Sequence, residues 1–182
     1  MFDNFLDIQN TTFVASKLNK VLDFNLTIKN EGDIICLLGP SGIGKTTILR
    51  SIAGLQKIPK GLISLKGKTL SSKEEHIDPE NRNIALSFQD NSLFPHYTIL
   101  ENINFGAKRN RDAKYDFNVN ELIKILHLEG LENKYPHQVS AGEAQRVSLA
   151  RSLMSNPDLL LLDEPFSNID QSLKVELQQN IK

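Results

Sequence analysis

A glycine-rich segment, "GPSGIGKTT", occupies residues 39–47 and matches the pattern G-x-x-x-x-G-K-S/T. Gly42 and Gly44 allow the backbone to curl so that successive N–H groups face a chain of phosphates. Lys45 can then reach the β- and γ-phosphate oxygens, and the Thr46 hydroxyl can hold Mg²⁺. The alternative without a binding role is a glycine-rich turn with a solvated lysine. The predicted phosphate-binding residues are Gly39, Pro40, Ser41, Gly42, Ile43, Gly44, Lys45, Thr46 and Thr47.

Two adjacent carboxylates follow an apolar run in "LLLLDEP", at Asp163 and Glu164. A buried strand would deliver Asp163 to its carboxyl end, where the side chain can enter the coordination shell of Mg²⁺. Glu164 can polarise a water molecule beside it, which is the division of labour that hydrolysis requires. The alternative is surface charge at a strand end. Together with the glycine-rich segment, the pair favours nucleotide hydrolysis.

The segment "VSAGEAQR" contains a helix start with very small side chains. Ser140 and Glu143 fit a capping box, in which each side chain binds the backbone N–H of the other residue. A helix start with small residues also carries the positive end of the helix dipole and can bind an anion. The sequence is compatible with both roles.

Apolar periodicity predicts an α/β fold that would position these residues. "FLDIQ" and "VLDFNLTIK" alternate apolar and polar residues and predict antiparallel strands, and "GLISLKG" predicts a further strand pair. "GDIICLLG", "NIALSFQ" and "DLLLLDEP" predict strands, of which the first and last are expected to be buried on both faces. Residues 90–155 show helical spacing. The helical block is therefore predicted as an insertion between two strands of one sheet.

Composition indicates an ordinary globular chain of 182 residues, with 40% hydrophobic and 24% charged residues. The formal net charge is −1, so no global basic field favours nucleic acid or anionic lipid. The local cluster of Lys108, Arg109, Arg111 and Lys114 fits a solvated loop better than a binding patch. The single Cys36 lies in an apolar run and is predicted as a small buried hydrophobic residue. No apolar stretch is long enough to span a membrane.

The order of these motifs resembles the nucleotide-binding domain of ABC transporters over nearly the whole chain. The resemblance implies ATP and Mg²⁺ as cofactors, with Lys45, Glu164 and Gln89 as catalytic residues and Thr46, Asp163 and Gln89 at the metal. Gln89 in "SFQDNSLFPHYTILENINFG" resembles the Q-loop glutamine, and Asp170 in "SNID" resembles the D-loop aspartate that contacts the opposite subunit. Phe13 is the candidate for the aromatic residue that stacks on adenine, with a core position as the alternative.

The segment from Ser140 to Glu143 resembles the ABC signature, usually L-S-G-G-Q. The resemblance implies that Ser140, Ala141, Gly142 and Glu143 contact the γ-phosphate of an ATP held by a second copy. Two positions depart from the pattern: Ala141 replaces a glycine and Glu143 replaces a glutamine. Alanine is tolerable there if its φ is negative, and glutamate is compatible with capping, so the signature is expected to work but to be weakened.

The implied fold is a P-loop NTPase core with an N-terminal antiparallel β subdomain and an inserted α-helical subdomain. Residues 1–182 are expected to form one domain, with 1–89 and 156–182 as β subdomain plus core and 90–155 as helical subdomain. None of His76, His96, His127 and His137 matches the family's switch histidine by order. The C-terminal part of the domain is therefore expected to be missing, with slow hydrolysis as a consequence.

The implied function is that of the ATP-hydrolysing subunit of an importer, similar to ATPases for ferric ions and polyamines. It would act as a head-to-tail dimer on the cytoplasmic face of the cell membrane, dock a permease through residues 90–105 and bind no nucleic acid. Two alternatives remain. A non-transport ABC ATPase would carry long coiled-coil insertions or tandem cassettes, and a silent binding module would lack turnover.

Overall fold

The computed structural model describes residues 4–15, 20–87, 93–107 and 118–164. The chain divides into two compact units, Met1–Asn83 and Ile84–Lys182. Each unit has its own sheet. The predicted grouping of 156–182 with 1–89 stays a prediction.

The first unit is built on a four-stranded antiparallel sheet in the order β2-β1-β3-β4. The strands are β1 (Leu6–Val14), β2 (Lys20–Ile28), β3 (Lys60–Leu65) and β4 (Lys68–Ser71). Their alternation of apolar and polar residues buries one face, so Leu6 and Ile8 are in the core while Gln9 is exposed. The predicted antiparallel strands in this half of the chain are confirmed.

Helix α1 (Lys45–Ile52) begins within the glycine-rich segment. Ile48 and Ile52 lie one turn apart and are both buried, which gives the helix its apolar face. Thr47 and Ser51 are buried as well. Leu55 lies beyond the end of the helix and is exposed.

The segment "GDIICLLG" contradicts the prediction of a strand buried on both faces. Its residues form no strand, and Ile34 and Leu38 are 69% and 88% exposed. Cys36, predicted as buried, is exposed as well. A fully buried strand needs neighbours that accept and donate hydrogen bonds along both edges. Among the described residues of this unit, no strand pairs with it.

The second unit holds a parallel pair of strands and three helices. Strands β5 (Ile84–Ser87) and β6 (Leu159–Leu162) pair in parallel, with Ser87 opposite Leu162. Between them in the chain lie α2 (Ile99–Ala107), α3 (Val119–Ile125) and α4 (Ala141–Met154), which confirms the predicted helical insertion between two strands. The prediction that "DLLLLDEP" is fully buried is wrong, because only Leu161 of β6 is buried and the other three leucines are half-buried. Among the described residues, β6 has a strand neighbour on one side.

The three helices share one apolar core, to which Ile103, Leu126 and Val147 contribute fully buried side chains. Gly106 allows the close approach of α2 and α4, since a Cβ at this position would lie 2.1 Å from the carbonyl oxygen of Arg151. Leu160 and Leu162 of β6 pack against the same core. The carboxyl end of β6 is thereby fixed relative to α4. In the described part of the chain, no helix combines the length and apolar character needed to cross a bilayer.

Candidate functional site

The glycine-rich loop of the first unit ends in a left-handed turn at the start of α1. Gly44 is the N-cap residue, with φ 111°, and Gly42 has φ 80°. Side chains rarely tolerate these values, and a Cβ on Gly44 would also lie 3.0 Å from Val21 Cγ2. Glycine is therefore required where the loop turns into the helix. The backbone N–H groups at such a helix start suit an anion.

The ammonium group of Lys45 lies over the loop that precedes it. Its Nζ atom donates to the carbonyl oxygens of Gly39 at 2.7 Å and of Pro40 at 3.0 Å. Thr46, the next residue, is exposed, whereas Thr47 is buried. The lysine charge thus sits at the loop itself, where a bound phosphate chain would need it.

In the second unit, the two carboxylates lie at the carboxyl end of β6, as predicted. The N–H of Asp163 donates to the carbonyl oxygen of Ser87 at 3.1 Å, so the ladder between β5 and β6 extends to Asp163. Asp163 is half-buried and Glu164 is exposed. Both therefore follow the same sheet edge at which β5 ends.

The helix start at Ser140 has the predicted capping box. Ser140 Oγ accepts from the N–H of Glu143 at 3.2 Å, and Glu143 Oε2 accepts from the N–H of Ser140 at 2.6 Å. The N–H donated by Ser140 is the main reason why the pKa of Glu143 lies below its ordinary value of 4.5. Ala141 is the first residue of α4 and has a negative φ, which meets the condition set by the sequence. The charged Glu143 is engaged in the cap.

Phe13 lies in the core, so the structure contradicts its assignment as an adenine-stacking residue. It belongs to β1, is 1% exposed and packs edge-on against Phe24 with ring centroids 5.7 Å apart. A ring must present an open face to stack on a base. The core alternative is the one that fits.

Two predicted site residues, Gln89 and Asp170, lie outside the described residues. So does the cluster predicted as part of a solvated loop, Lys108, Arg109, Arg111 and Lys114. Gln89 comes two residues after β5 ends at Ser87. Their predicted roles stay predictions.

Two buried polar residues were not singled out from the sequence. Arg82, 2% exposed, donates to the carbonyl oxygens of Ser51 and Ile52 at the end of α1. Gln145, also 2% exposed, donates from Nε2 to the carbonyl oxygen of Glu164 at 3.0 Å. The sequence signal for Gln145 is its spacing: it precedes Ser148 by three residues and Leu149 by four, which places all three on one face of a helix. That face of α4 is buried.

An aromatic cluster marks the loop before α2 and the helix itself. Phe94 contacts Phe105 and Tyr97, with centroid distances of 4.6 Å and 5.4 Å, and Phe105 is 40% exposed. The buried Asn102 holds this loop: its Oδ1 accepts from the N–H of Phe94, and its Nδ2 donates to the carbonyl oxygens of Phe94, Tyr97 and Thr98. The loop therefore presents its rings from a hydrogen-bonded frame.

Residues 21–167 match the family model described as "ABC transporter". Curated relatives include the spermidine/putrescine import ATP-binding protein PotA of Nitratidesulfovibrio vulgaris, 39% identical over 99% of this chain and 48% of the relative. The sulfate/thiosulfate import ATP-binding protein CysA of Synechocystis is 42% identical over 94% of this chain and 47% of the relative. The Fe(3+) ions import ATP-binding protein FbpC of Escherichia coli is 39% identical over 98% and 51%. The chain spans about half the length of these relatives.

Among solved structures, the chain is similar to the dimeric structure of MJ0796, a bacterial ABC transporter cassette. The TM-score is 0.80 at 28% identity, over 97% of this chain and 81% of that one. A post-hydrolysis state of the same cassette, bound to ADP and Pi, matches with a TM-score of 0.79. These similarities confirm the predicted fold class, an α/β P-loop NTPase core.

Proposed function

The chain belongs to the ABC transporter family, and on that premise we propose that it binds and hydrolyses ATP to energise import of a small solute through a membrane permease. The observation that carries this proposal is the loop from Gly39 to Lys45, with its left-handed Gly44 at a helix start and its lysine charge held over the loop. The named import relatives support the direction and the class of transport.

ATP would bind with its β- and γ-phosphates in the loop of residues 39–47. The N–H groups at the start of α1 donate to phosphate oxygens, and the positive end of the helix dipole favours the charge. Lys45 would exchange the carbonyl oxygens of Gly39 and Pro40 for phosphate oxygens, a charge-assisted interaction that is roughly twice as strong as a neutral one.

The predicted metal ligands suit Mg²⁺. The exposed hydroxyl of Thr46, the carboxylate of Asp163 and the side-chain oxygen of Gln89 are hard oxygen ligands, and Mg²⁺ is usually held by one or two carboxylates together with phosphates and water. When bound, Mg²⁺ neutralises the charge on the phosphate oxygens. Thr46, Asp163 and Gln89 would hold it.

Glu164 would act as the base for hydrolysis. Its exposed carboxylate follows Asp163 directly at the carboxyl end of β6, so a water molecule can be oriented beside the metal ligand. Lys45 would stabilise the charge on the transferred phosphoryl group. Positioning and charge neutralisation do most of the work in this class of reaction.

The capped helix start at Ser140 would serve a second copy of the chain. Ser140 and Ala141 are exposed, and the side chains from Ser140 to Gly142 are small enough for close approach of a phosphate. We infer that Ser140, Ala141, Gly142 and Glu143 complete the nucleotide site of the partner, with Asp170 at the contact between subunits. The dimeric MJ0796 cassette supports this arrangement.

The aromatic cluster of Phe94, Tyr97 and Phe105 would be part of the permease contact in 90–105. Phe105 is exposed and Phe94 and Tyr97 are half-buried, and aromatic rings on a fixed frame favour binding of another protein because they bury large apolar area at little conformational cost. The permease would hold the subunit on the cytoplasmic face of the membrane.

Phosphate release with Mg²⁺ and ATP tests the proposed activity. The wild-type chain should release phosphate, and Glu164→Gln should lower the turnover by about two orders of magnitude or more while it still binds ATP. Glu129→Gln, at an exposed glutamate of another loop, is the control for loss of one negative charge and should keep wild-type turnover. Turnover that is equal in all three proteins would remove Glu164 from the reaction, and absence of turnover in the wild type would refute the activity of this chain.

A further inference from the structure

A hydrogen bond joins the helix that begins at the signature segment to the backbone of the proposed base. Nε2 of Gln145 donates to the carbonyl oxygen of Glu164 at 3.0 Å, across 19 positions of the chain. Gln145 is 2% exposed and lies on the buried face of α4 with Ser148 and Leu149. A buried side-chain amide needs a hydrogen-bond acceptor, because a buried donor without an acceptor lowers the stability of the fold.

Glu164 has an uncommon backbone conformation. Its φ is 49°, in the left-handed region that residues with a side chain rarely adopt. Such a conformation persists where the surrounding structure enforces it, and it occurs often at sites that do chemistry. The bond from Gln145 acts on the carbonyl group of this same residue.

We propose that Gln145 is a positioning residue for Glu164: its side-chain amide holds the left-handed backbone from which the carboxylate of the base projects. The inference rests on the proposed function, because it is the base role of Glu164 that makes its position matter. Gln145 contacts neither nucleotide nor water in this account and acts on the reaction through its bond to Glu164.

The place of Gln145 in α4 gives the contact a second consequence. The helix begins with the Ser140 cap, and Gln145 follows five residues later. A rigid helix of 14 residues moves as one body, so a shift at its start would reach Glu164 through this bond. The bond therefore links the helix that begins at the signature segment to the backbone of Glu164.

Gln145→Met tests the proposal, because methionine has nearly the same length and no donor. We expect turnover to fall about tenfold or more, since small displacements of a reacting group are costly, while the Kd for a fluorescent ATP analogue with Mg²⁺ stays within about twofold. The phosphate loop belongs to the other unit and is unchanged. The matched control is Ser152→Ala, which removes a buried hydroxyl that bonds within α4, to the carbonyl oxygen of Ser148, and should leave both quantities within about twofold.

Amide hydrogen exchange supplies a readout that needs no turnover. The N–H of Asp163, bonded to Ser87, reports opening of the backbone next to Glu164, and its exchange should be about threefold faster or more in Gln145→Met but not in Ser152→Ala. If Gln145→Met does not fold, Gln145→Asn takes its place, since it keeps the amide and shortens its reach by one methylene group.

The outcomes separate the inference from the proposed function. A wild-type protein that releases no phosphate refutes the proposed activity, and the exchange comparison then decides the inference alone. Wild-type turnover that is matched within about twofold by Gln145→Met overturns the inference and leaves the proposed function intact. Parallel losses of turnover and ATP affinity, or unchanged exchange at Asp163, overturn it as well.

Discussion

The Nη1 atom of Arg82 lies 2.8 Å from the carbonyl oxygen of Ile52, the last residue of α1. The same guanidinium group donates through Nη2 to the carbonyl oxygen of Leu70 at 2.9 Å and to Ser71 Oγ at 2.7 Å. Burial lowers the pKa of Arg82 to about 10, so the side chain keeps its charge at neutral pH. One cation thus ties the end of the phosphate-loop helix to β4.

Arg82→Met should destabilise the chain strongly. It leaves the carbonyl oxygens of Ser51, Ile52 and Leu70 without this donor in the core, which should cost at least about 3 kcal/mol of unfolding free energy. Lys57→Met, at an exposed lysine after α1, is the control and should change stability by about 0.5 kcal/mol or less. Urea denaturation measures both. Equal urea midpoints for the two variants would show that the buried guanidinium contributes little.

Lys45→Ala should weaken binding of Mg-ATP by about 1.5–3 kcal/mol, the scale of a hydrogen bond to a charged group. In the wild type, Lys45 donates hydrogen bonds to the carbonyl oxygens of Gly39 and Pro40 in the same loop, so its charge is in place before the nucleotide binds. Titration of a fluorescent ATP analogue gives the Kd of each protein. Lys57→Ala, at an exposed lysine after α1, controls for the loss of charge. Identical affinities of wild type and Lys45→Ala would contradict the phosphate-loop assignment.

Ser140→Arg should prevent formation of the ATP-bound dimer without affecting ATP binding by the monomer. The arginine puts bulk at the start of α4, where the partner's phosphate would approach, and leaves the loop of residues 39–47 unchanged. A Glu164→Gln background slows hydrolysis and lets ATP hold the dimer together. Size-exclusion chromatography with Mg-ATP should show a dimer for Glu164→Gln and a monomer for the double variant. If the double variant dimerises but no longer binds ATP as a monomer, Ser140 belongs to the nucleotide site of its own chain and not to that of the partner.

The contribution of Glu143 to stability should depend on pH. The pKa of this carboxyl is lower in the folded chain than its ordinary 4.5, mainly because the Ser140 N–H donates to it. Such a group stabilises the fold above about pH 4.5, and the contribution is lost as the pH falls through the folded pKa. Glu143→Gln should therefore be less stable than wild type at neutral pH, and the difference should shrink in acid.

Urea unfolding of both proteins from about pH 7 down to about pH 2 measures this difference. Ser140→Ala removes the hydroxyl that accepts from the N–H of Glu143 and provides the matched cap variant, because it leaves the carboxylate in place. A difference between wild type and Glu143→Gln that grows as the pH falls would contradict the assigned direction of the pKa.

Local pattern was sufficient where neighbours in sequence are also neighbours in space. The loop at Gly44, the capping box of Ser140 and Glu143, and the strands on either side of the helical block all follow from residue type and spacing. Local pattern failed for residues 33–38. An apolar run indicates that a segment tends to be buried, but it does not indicate which strands lie beside the segment. Phe13 shows the same limit, since an aromatic residue suits both a core and a base.

The sequence by itself therefore determined the family and the fold class, and it predicted the reactive groups, because glycines, a lysine and paired carboxylates at these spacings have few other uses. The tertiary structure decided how those groups are held. Arg82 reaches the end of α1 across 30 positions, and Gln145 reaches Glu164 across 19. Bonds between residues so far apart depend on the packing of whole elements, and no local pattern encodes which buried donor will meet which carbonyl oxygen.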